Sequence, residues 1–164
     1  MELKKHFSPK IIFLGLYVLA FLVYIVFGLQ PVDAINYNIT SNLSIPSIGL
    51  KSDVTKLSLE DNKLDTPNAI VGSYSENKNK TLLVGHSTTV FKDLADIEKG
   101  STINYNDKTY IVTKRKMILK SHISMEKLLK EEKSDTLIIM TCAGELYGNG
   151  DATHRLIITA KILD

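Results

Sequence analysis

Eight short β-type segments, set apart by turn-rich clusters and interrupted by little helical pattern, restrict the fold of this chain more than any other feature. They are Leu43–Leu50, Asp53–Leu59, Ala69–Ser73, Thr81–Val84, Thr102–Tyr105, Thr109–Lys114, Thr136–Thr141 and His154–Leu163. Polar turn formers separate them, such as Ser-Glu-Asn-Lys-Asn-Lys over 75–80 and Asn106-Asp107-Lys108. Strands this short bury their apolar sides by curling on one another, so the expected class is all-β, an eight-stranded closed or nearly closed barrel. Leu43–Leu50 holds Pro46, which has no amide to donate and suits an edge strand. Two stretches read as helix instead. Phe91–Lys99 has room for a turn or two, and in Ser124–Glu132 the residues Met125, Leu128 and Leu129 share one face behind a Ser124 cap.

The 164 residues exceed what such a barrel needs, and the surplus is N-terminal. Ile11–Leu29 carries no charge and has the length a helix needs to cross a hydrocarbon core of about 30 Å. Residues 11–29 therefore read as a transmembrane helix. Lys4, Lys5 and Lys10 precede it against Glu2 alone, which leaves residues 1–10 in the cytoplasm and everything after Gln30 outside. A cleavable signal peptide is the competing reading, with Val32-Asp33-Ala34 as a loose cleavage site. Either one delivers the remainder to the outer face: a polar connector over 30–42 and the barrel domain over 43–164. That exported part holds 17 basic and 17 acidic residues. Its neutrality gives no electrostatic case for nucleic acid as a partner.

The apolar run Thr136–Thr141 reads as a strand covered on both faces, and it leads into Cys142, the one cysteine of the chain. Small and polar residues follow, so Cys142 is expected where a rigid strand opens into a loop. A lone cysteine forms no internal disulfide; it is a buried filler or a reactive thiol. His86 follows the apolar strand Thr81–Val84 and a glycine, also at a strand end, where loops carry function. His6 falls on the cytoplasmic side and His122 in a Lys/Ser loop. Only two of the 20 basic residues are arginine. Arg115 sits in a solvated Lys-Arg-Lys run. Arg155 stands across the glycine-rich loop from Cys142, facing the opposite way from His154 by strand alternation.

At this point a resemblance emerges. Gly85-His86, then Phe91-Lys-Asp-Leu94 with Ile97 and Gly100, then Tyr110-Ile-Val-Thr113, Thr141-Cys142 and Arg155-Leu-Ile-Ile-Thr-Ala160, in this order behind an N-terminal anchor, closely resemble a sortase. The likeness runs over roughly Leu43–Asp164. It implies an eight-stranded barrel in which His86, Cys142 and Arg155 converge on a surface groove. It also implies a transpeptidase of surface proteins that carry a C-terminal sorting signal of the Leu-Pro-x-Thr-Gly kind, with an amine of the cell wall or of a pilin as acceptor. Two departures stand out: Ile138-Ile139-Met140-Thr141-Cys142 where the family often has Thr-Leu-x-Thr-Cys, and Val84 where an alanine commonly precedes Gly-His. Both keep the strand apolar.

Such chemistry suits these residue types. A thiol of ordinary pKa, about 8.5, is only a few per cent thiolate at pH 7, and a nearby cation raises that share. The resemblance casts Cys142 as nucleophile, His86 as general acid and base, and Arg155 as ligand of the scissile carbonyl. Thr141 is either a substrate or supporting contact, or a β-former on a buried face. The loop Gly144–Thr153, with Gly148 and Gly150, is expected to be able to act as a gate, and the resemblance places selectivity for the signal in Lys114–Glu132. Some relatives respond to calcium; Asp93, Asp96 and Glu98 match no loop of known calcium geometry and read as a solvated face, so no metal or cofactor is expected. Other cell-wall cysteine enzymes fit less well: cysteine peptidases usually place cysteine before histidine, and L,D-transpeptidases carry a Ser-His-Gly-x-x-x-Arg-type signature absent here. A non-catalytic, membrane-anchored barrel with a packed cysteine is the third reading.

Overall fold

The computed structural model describes residues 37–60, 63–148 and 151–163. The expected helix over 11–29, with its flanks, lies outside them. No helix among the described residues is long and apolar enough to cross a membrane.

Among the described residues ten strands appear: β1 (Ile39–Ile45), β2 (Leu50–Lys56), β3 (Leu59–Glu60), β4 (Lys63–Leu64), β5 (Val71–Asn77), β6 (Lys80–Val84), β7 (Thr102–Tyr105), β8 (Lys108–Leu119), β9 (Thr136–Leu146) and β10 (Ala152–Ile162). Among the described residues one α-helix, α1 (Met125–Leu129), precedes β9. Strands β3 and β4 pair only with each other, and the remaining eight close a barrel in the order β1-β2-β5-β6-β9-β10-β8-β7. The eight expected segments map onto these eight strands in chain order. The β2–β5 and β6–β9 pairs are parallel; the rest are antiparallel.

Several boundaries differ from the sequence expectation, each for a local reason. Leu43–Leu50 is not one edge strand. Pro46 starts a 3-10 turn, Gly49 takes the left-handed conformation at φ +62°, and its amide returns to the Pro46 carbonyl at 3.1 Å. The chain thus folds from β1 into β2. Residues 39–42 of the expected connector are already paired in β1, so the barrel begins before Leu43. Asn106 and Asp107 both have positive φ, 51° and 60°. That matches the right-handed twist of the hairpin between β7 and β8.

Two apolar layers form. Alternate residues Leu137 and Ile139 of β9 point into the barrel with Leu43, Ile45, Val54, Leu83, Phe91, Leu94, Ile103, Leu156 and Ile158. The intervening Ile138 and Met140 face outward, beside Leu82, Val84 and Ile157, beneath Met125, Leu128 and Leu129 of α1. The expected apolar face of that helix is therefore the one it buries, and Ser124 caps it, its hydroxyl accepting from the Lys127 amide at 3.3 Å. Asn77 and Lys80 fasten the far end through the carbonyls of Leu129 and Lys130, at 3.1 and 2.8 Å.

Candidate active site

The three candidate residues fall in β9, in β10 and just past the end of β6. In the β9–β10 register Met140 pairs with Ile157 and Cys142 with Arg155; in β10–β8 Arg155 pairs with Ile118. On the other side, β6 runs parallel to β9 with Val84 opposite Met140. His86 lies two residues past Val84, as Cys142 lies two past Met140. The two chains are still side by side at this level, because Thr141 Oγ1 donates to the Gly85 carbonyl at 2.7 Å. Cys142, Arg155 and Ile118 therefore form one row, directly beyond the row of Met140, Ile157 and Lys116, and His86 follows Gly85 just past the end of β6. Directly opposed residues share a face, with Cβ atoms about 5 Å apart. All three candidate residues are half-buried. That is enough to hold a side chain and still leave it reachable.

Each candidate has its own support. After β6 the chain turns sharply, the Phe91 amide reaching the His86 carbonyl at 3.0 Å. Gly85 is needed there: a Cβ would stand 2.6 Å from Val90 and 2.8 Å from the Phe91 ring, which is fully buried. The His86 ring has Nε2 at 3.3 Å from the Thr66 carbonyl. A carbonyl only accepts, so Nε2 holds the proton of that hydrogen bond and Nδ1 is the ring nitrogen left to exchange one.

Cys142 does not end its strand. β9 continues to Leu146, pairing it with Ala152 at the start of β10. The thiol is thus fixed from both sides by strand pairing. The expected gate Gly144–Thr153 shrinks accordingly, because both of its ends belong to this hairpin. Its Gly144 has φ +79°, and a Cβ there would meet the Thr153 hydroxyl at 2.5 Å. The expected selectivity segment is likewise partly strand, with β8 running on to Leu119.

Arg155 is 15 % exposed in its side chain. Its Nη1 donates to the carbonyls of Ala152 and His154, both at 3.0 Å, and its Nη2 to Asp151 Oδ1 at 2.6 Å. Asp151 also binds Lys120. Hydrogen bonds from Lys120, then from Arg155 and the Ala152 amide, hold its carboxyl well below the usual carboxylate range. Sequence reasoning passed over Asp151 and Thr66. The four-residue spacing of Asp151 from the rare Arg155 was a usable signal for the first; the second acts through its backbone and left none.

Thr141 faces inward and is 4 % exposed. It is a buried β-former, and its hydroxyl at the same time holds the carbonyl of Gly85, the residue before His86. His154 pairs with Ala143 on the face opposite Cys142. Arg115 donates to the Ala95 carbonyl at 2.8 Å and so pins the loop before β7. Asp93, Asp96 and Glu98 are exposed around a single 3-10 turn, and among the described residues no cluster of three or more His, Cys, Asp or Glu is placed to hold a metal ion.

A barrel of this topology with such a site defines a class, and the chain belongs to the sortase family: residues 43–163 match the sortase domain. Among curated proteins it is similar to sortase D of Bacillus subtilis, 33 % identical over 92 residues, a stretch that is 54 % of this chain and 45 % of that protein. The chain thus matches less than half the length of this curated relative. Among solved structures it is similar to Listeria monocytogenes sortase A, with TM-score 0.60 at 17 % identity over 77 % of this chain and 88 % of that one. Streptococcus agalactiae sortase C1 gives TM-score 0.60 at 22 % identity over 80 % and 71 %. A lid mutant of Corynebacterium diphtheriae sortase A gives 0.58 at 20 % identity over 81 % and 74 %. These structural likenesses speak for the fold.

Proposed function

We propose that this chain is a cysteine transpeptidase that cuts a C-terminal sorting signal of the Leu-Pro-x-Thr-Gly kind and passes the freed carboxyl end to an amine. The thiolate of Cys142 attacks the threonyl carbonyl of the signal. Arg155 holds the oxyanion that develops, with the amide following Cys142 as a second donor. As the tetrahedral species collapses, the C–N bond breaks and His86 gives its proton to the departing glycine amine. A thioester remains on Cys142, dividing one difficult exchange into two easier ones. An incoming amine then loses its proton to His86, attacks the thioester and restores the thiolate. In this reading Nδ1 of His86 is the proton carrier, since Nε2–H is engaged with Thr66. Thr141 acts only by keeping the β6 exit against β9.

The protein partners are surface proteins bearing the signal, and the acceptor is an amine of the cell wall or of a pilin. Residues 11–29 anchor the enzyme as a single-pass membrane protein, with the N-terminus cytoplasmic and the barrel outside.

The observation that supports this reading is the pairing of Cys142 with Arg155 across β9 and β10, with the turn that carries His86 tied to β9 through Thr141 and Gly85. Cys142→Ala should abolish cleavage of a sorting-signal peptide with the melting temperature unchanged, and mass spectrometry of the parent should trap the thioester on Cys142. Cleavage at the parental rate by Cys142→Ala would make the thiol a packing residue and leave a non-catalytic barrel.

A further inference from the structure

The hairpin between β9 and β10 carries a residue to which the reaction above gives no part. Asp151 accepts from Arg155 at 2.6 Å and from the Ala152 amide at 2.8 Å, both through Oδ1, while Oδ2 meets Lys120 in the turn after β8. One carboxylate thus joins the exit of β8, the start of β10 and the guanidinium between them. This is unlike a lone exposed ion pair, which is worth little. Asp151 is 26 % exposed and Arg155 15 %, and the carboxylate is gripped by a backbone amide as well as by two cations. Together with the Ala152 and His154 carbonyls, Asp151 uses three of the five guanidinium donors. Two are left over, in a plane that those three bonds set.

We propose that Asp151 is a positioning residue that locks the Arg155 guanidinium in one orientation, so that its remaining donors meet the scissile carbonyl over Cys142. This rests on the reading of Arg155 as the carbonyl ligand. A long side chain held at three points presents its last two donors without searching for them, and the gain falls on the transition state rather than on substrate binding.

The test measures kcat and KM with a sorting-signal peptide for Asp151→Ala and Asp151→Asn, each in the parent and in an Arg155→Ala background. The Asn side chain keeps an acceptor for the Ala152 amide, so it separates loss of the charge from loss of the loop. For Asp151→Ala we expect kcat to fall roughly 10- to 100-fold with KM within about twofold, and Asp151→Asn to lie between it and the parent. With Arg155 already removed, neither change should cost anything more, because the residue acts only through the guanidinium. An equal further loss in that background overturns the proposal and assigns Asp151 to the hairpin's own folding. Unchanged kcat also overturns it, and so does a rise, which would mean that the carboxylate competes with substrate. Normal turnover by Arg155→Ala removes the reading of Arg155 itself and this inference with it; normal turnover by the Asp151 variants alone removes only this inference.

Discussion

Position 155 asks for a guanidinium because the work there needs several donors in one plane. Lysine would keep the charge, yet one ammonium cannot satisfy the Ala152 and His154 carbonyls and Asp151 while also facing a substrate oxygen. Arg155→Lys should therefore lower kcat by about 10²–10³-fold, the effect of removing one donor from an oxyanion site. Steady-state kinetics with a signal peptide checks it, and a variant within threefold of the parent would take Arg155 out of the mechanism. The Asp151 clamp has a pH signature of its own. Its folded pKa is depressed, so its contribution to stability is complete above the unfolded value of about 3.9 and is lost only as pH falls through the lower folded value. Carboxyl carbon shifts followed by NMR from pH 7 to pH 4 should show Asp151 still ionised; an ordinary titration near 4 would mean that the clamp does not persist in solution. His86, Cys142 and Arg155 were legible in the sequence because their types are scarce and stand next to apolar strands. Asp151 and Thr66 were not, since one is a common loop residue and the other contributes only a carbonyl.

Strand reaches further around the candidate residues than the sequence pattern implied, with Cys142 and Arg155 both inside paired strands and His86 just past one. Ala143-Gly144-Glu145-Leu146 reads as the start of a loop and Lys114-Arg115-Lys116 as a solvated run. The first remains strand because it pairs with β10; the second is solvated as expected and is strand as well, because it pairs with Ile157, Ile158 and Thr159. Tertiary pairing overrides a weak local preference in both. The junction where β6 leaves the barrel is similarly fixed by contacts that no local pattern reveals. Thr141→Val keeps the shape but removes the hydroxyl on the Gly85 carbonyl, leaving a buried acceptor unpaired at a cost of about 1–3 kcal/mol. Urea denaturation should show that loss, and an unchanged midpoint would mean that water replaces the bond. Gly85→Ala drives a methyl into Val90 and the buried Phe91 ring. Overpacking of this kind costs about 1–3 kcal/mol, and here it should also move His86, so kcat should fall more than stability alone explains. A variant that is destabilised but turns over normally would show that His86 is held independently of the turn before it.

At the scale of the molecule, the site exists only once the barrel has closed. The Thr141–Gly85 bond spans 56 residues of sequence, across β7, β8 and α1, so the turn that carries His86 is brought beside β9 by long-range contacts rather than by local structure. Contacts of that kind form late and slowly, since the loops must close before the pairs reward them. Whatever weakens the seams of the barrel should therefore loosen the placement of the three candidate residues, even far from them. Seam β1–β2 offers the clearest test, because the sequence alone would start the domain at Leu43 whereas pairing starts at Ile39. A chain beginning at Leu43 loses Ile39↔Thr55, Ser41↔Val54 and Asn42↔Asp53, with the hydroxyl bonds from Thr55 to the Asn38 carbonyl at 2.9 Å and from Thr40 to the Val54 carbonyl at 3.2 Å. Thr55 is 6 % exposed, so its hydroxyl finds little water in exchange. Two such bonds amount to roughly 2 kcal/mol, about 8 °C in melting temperature for a domain of this size. A chain beginning at Tyr37 should accordingly melt cooperatively and higher than one beginning at Leu43, and should cleave the signal peptide faster at temperatures just below the shorter chain's transition. Equal melting temperatures would mean that residues 39–42 add nothing to the barrel, and that its working edge lies at Leu43 after all.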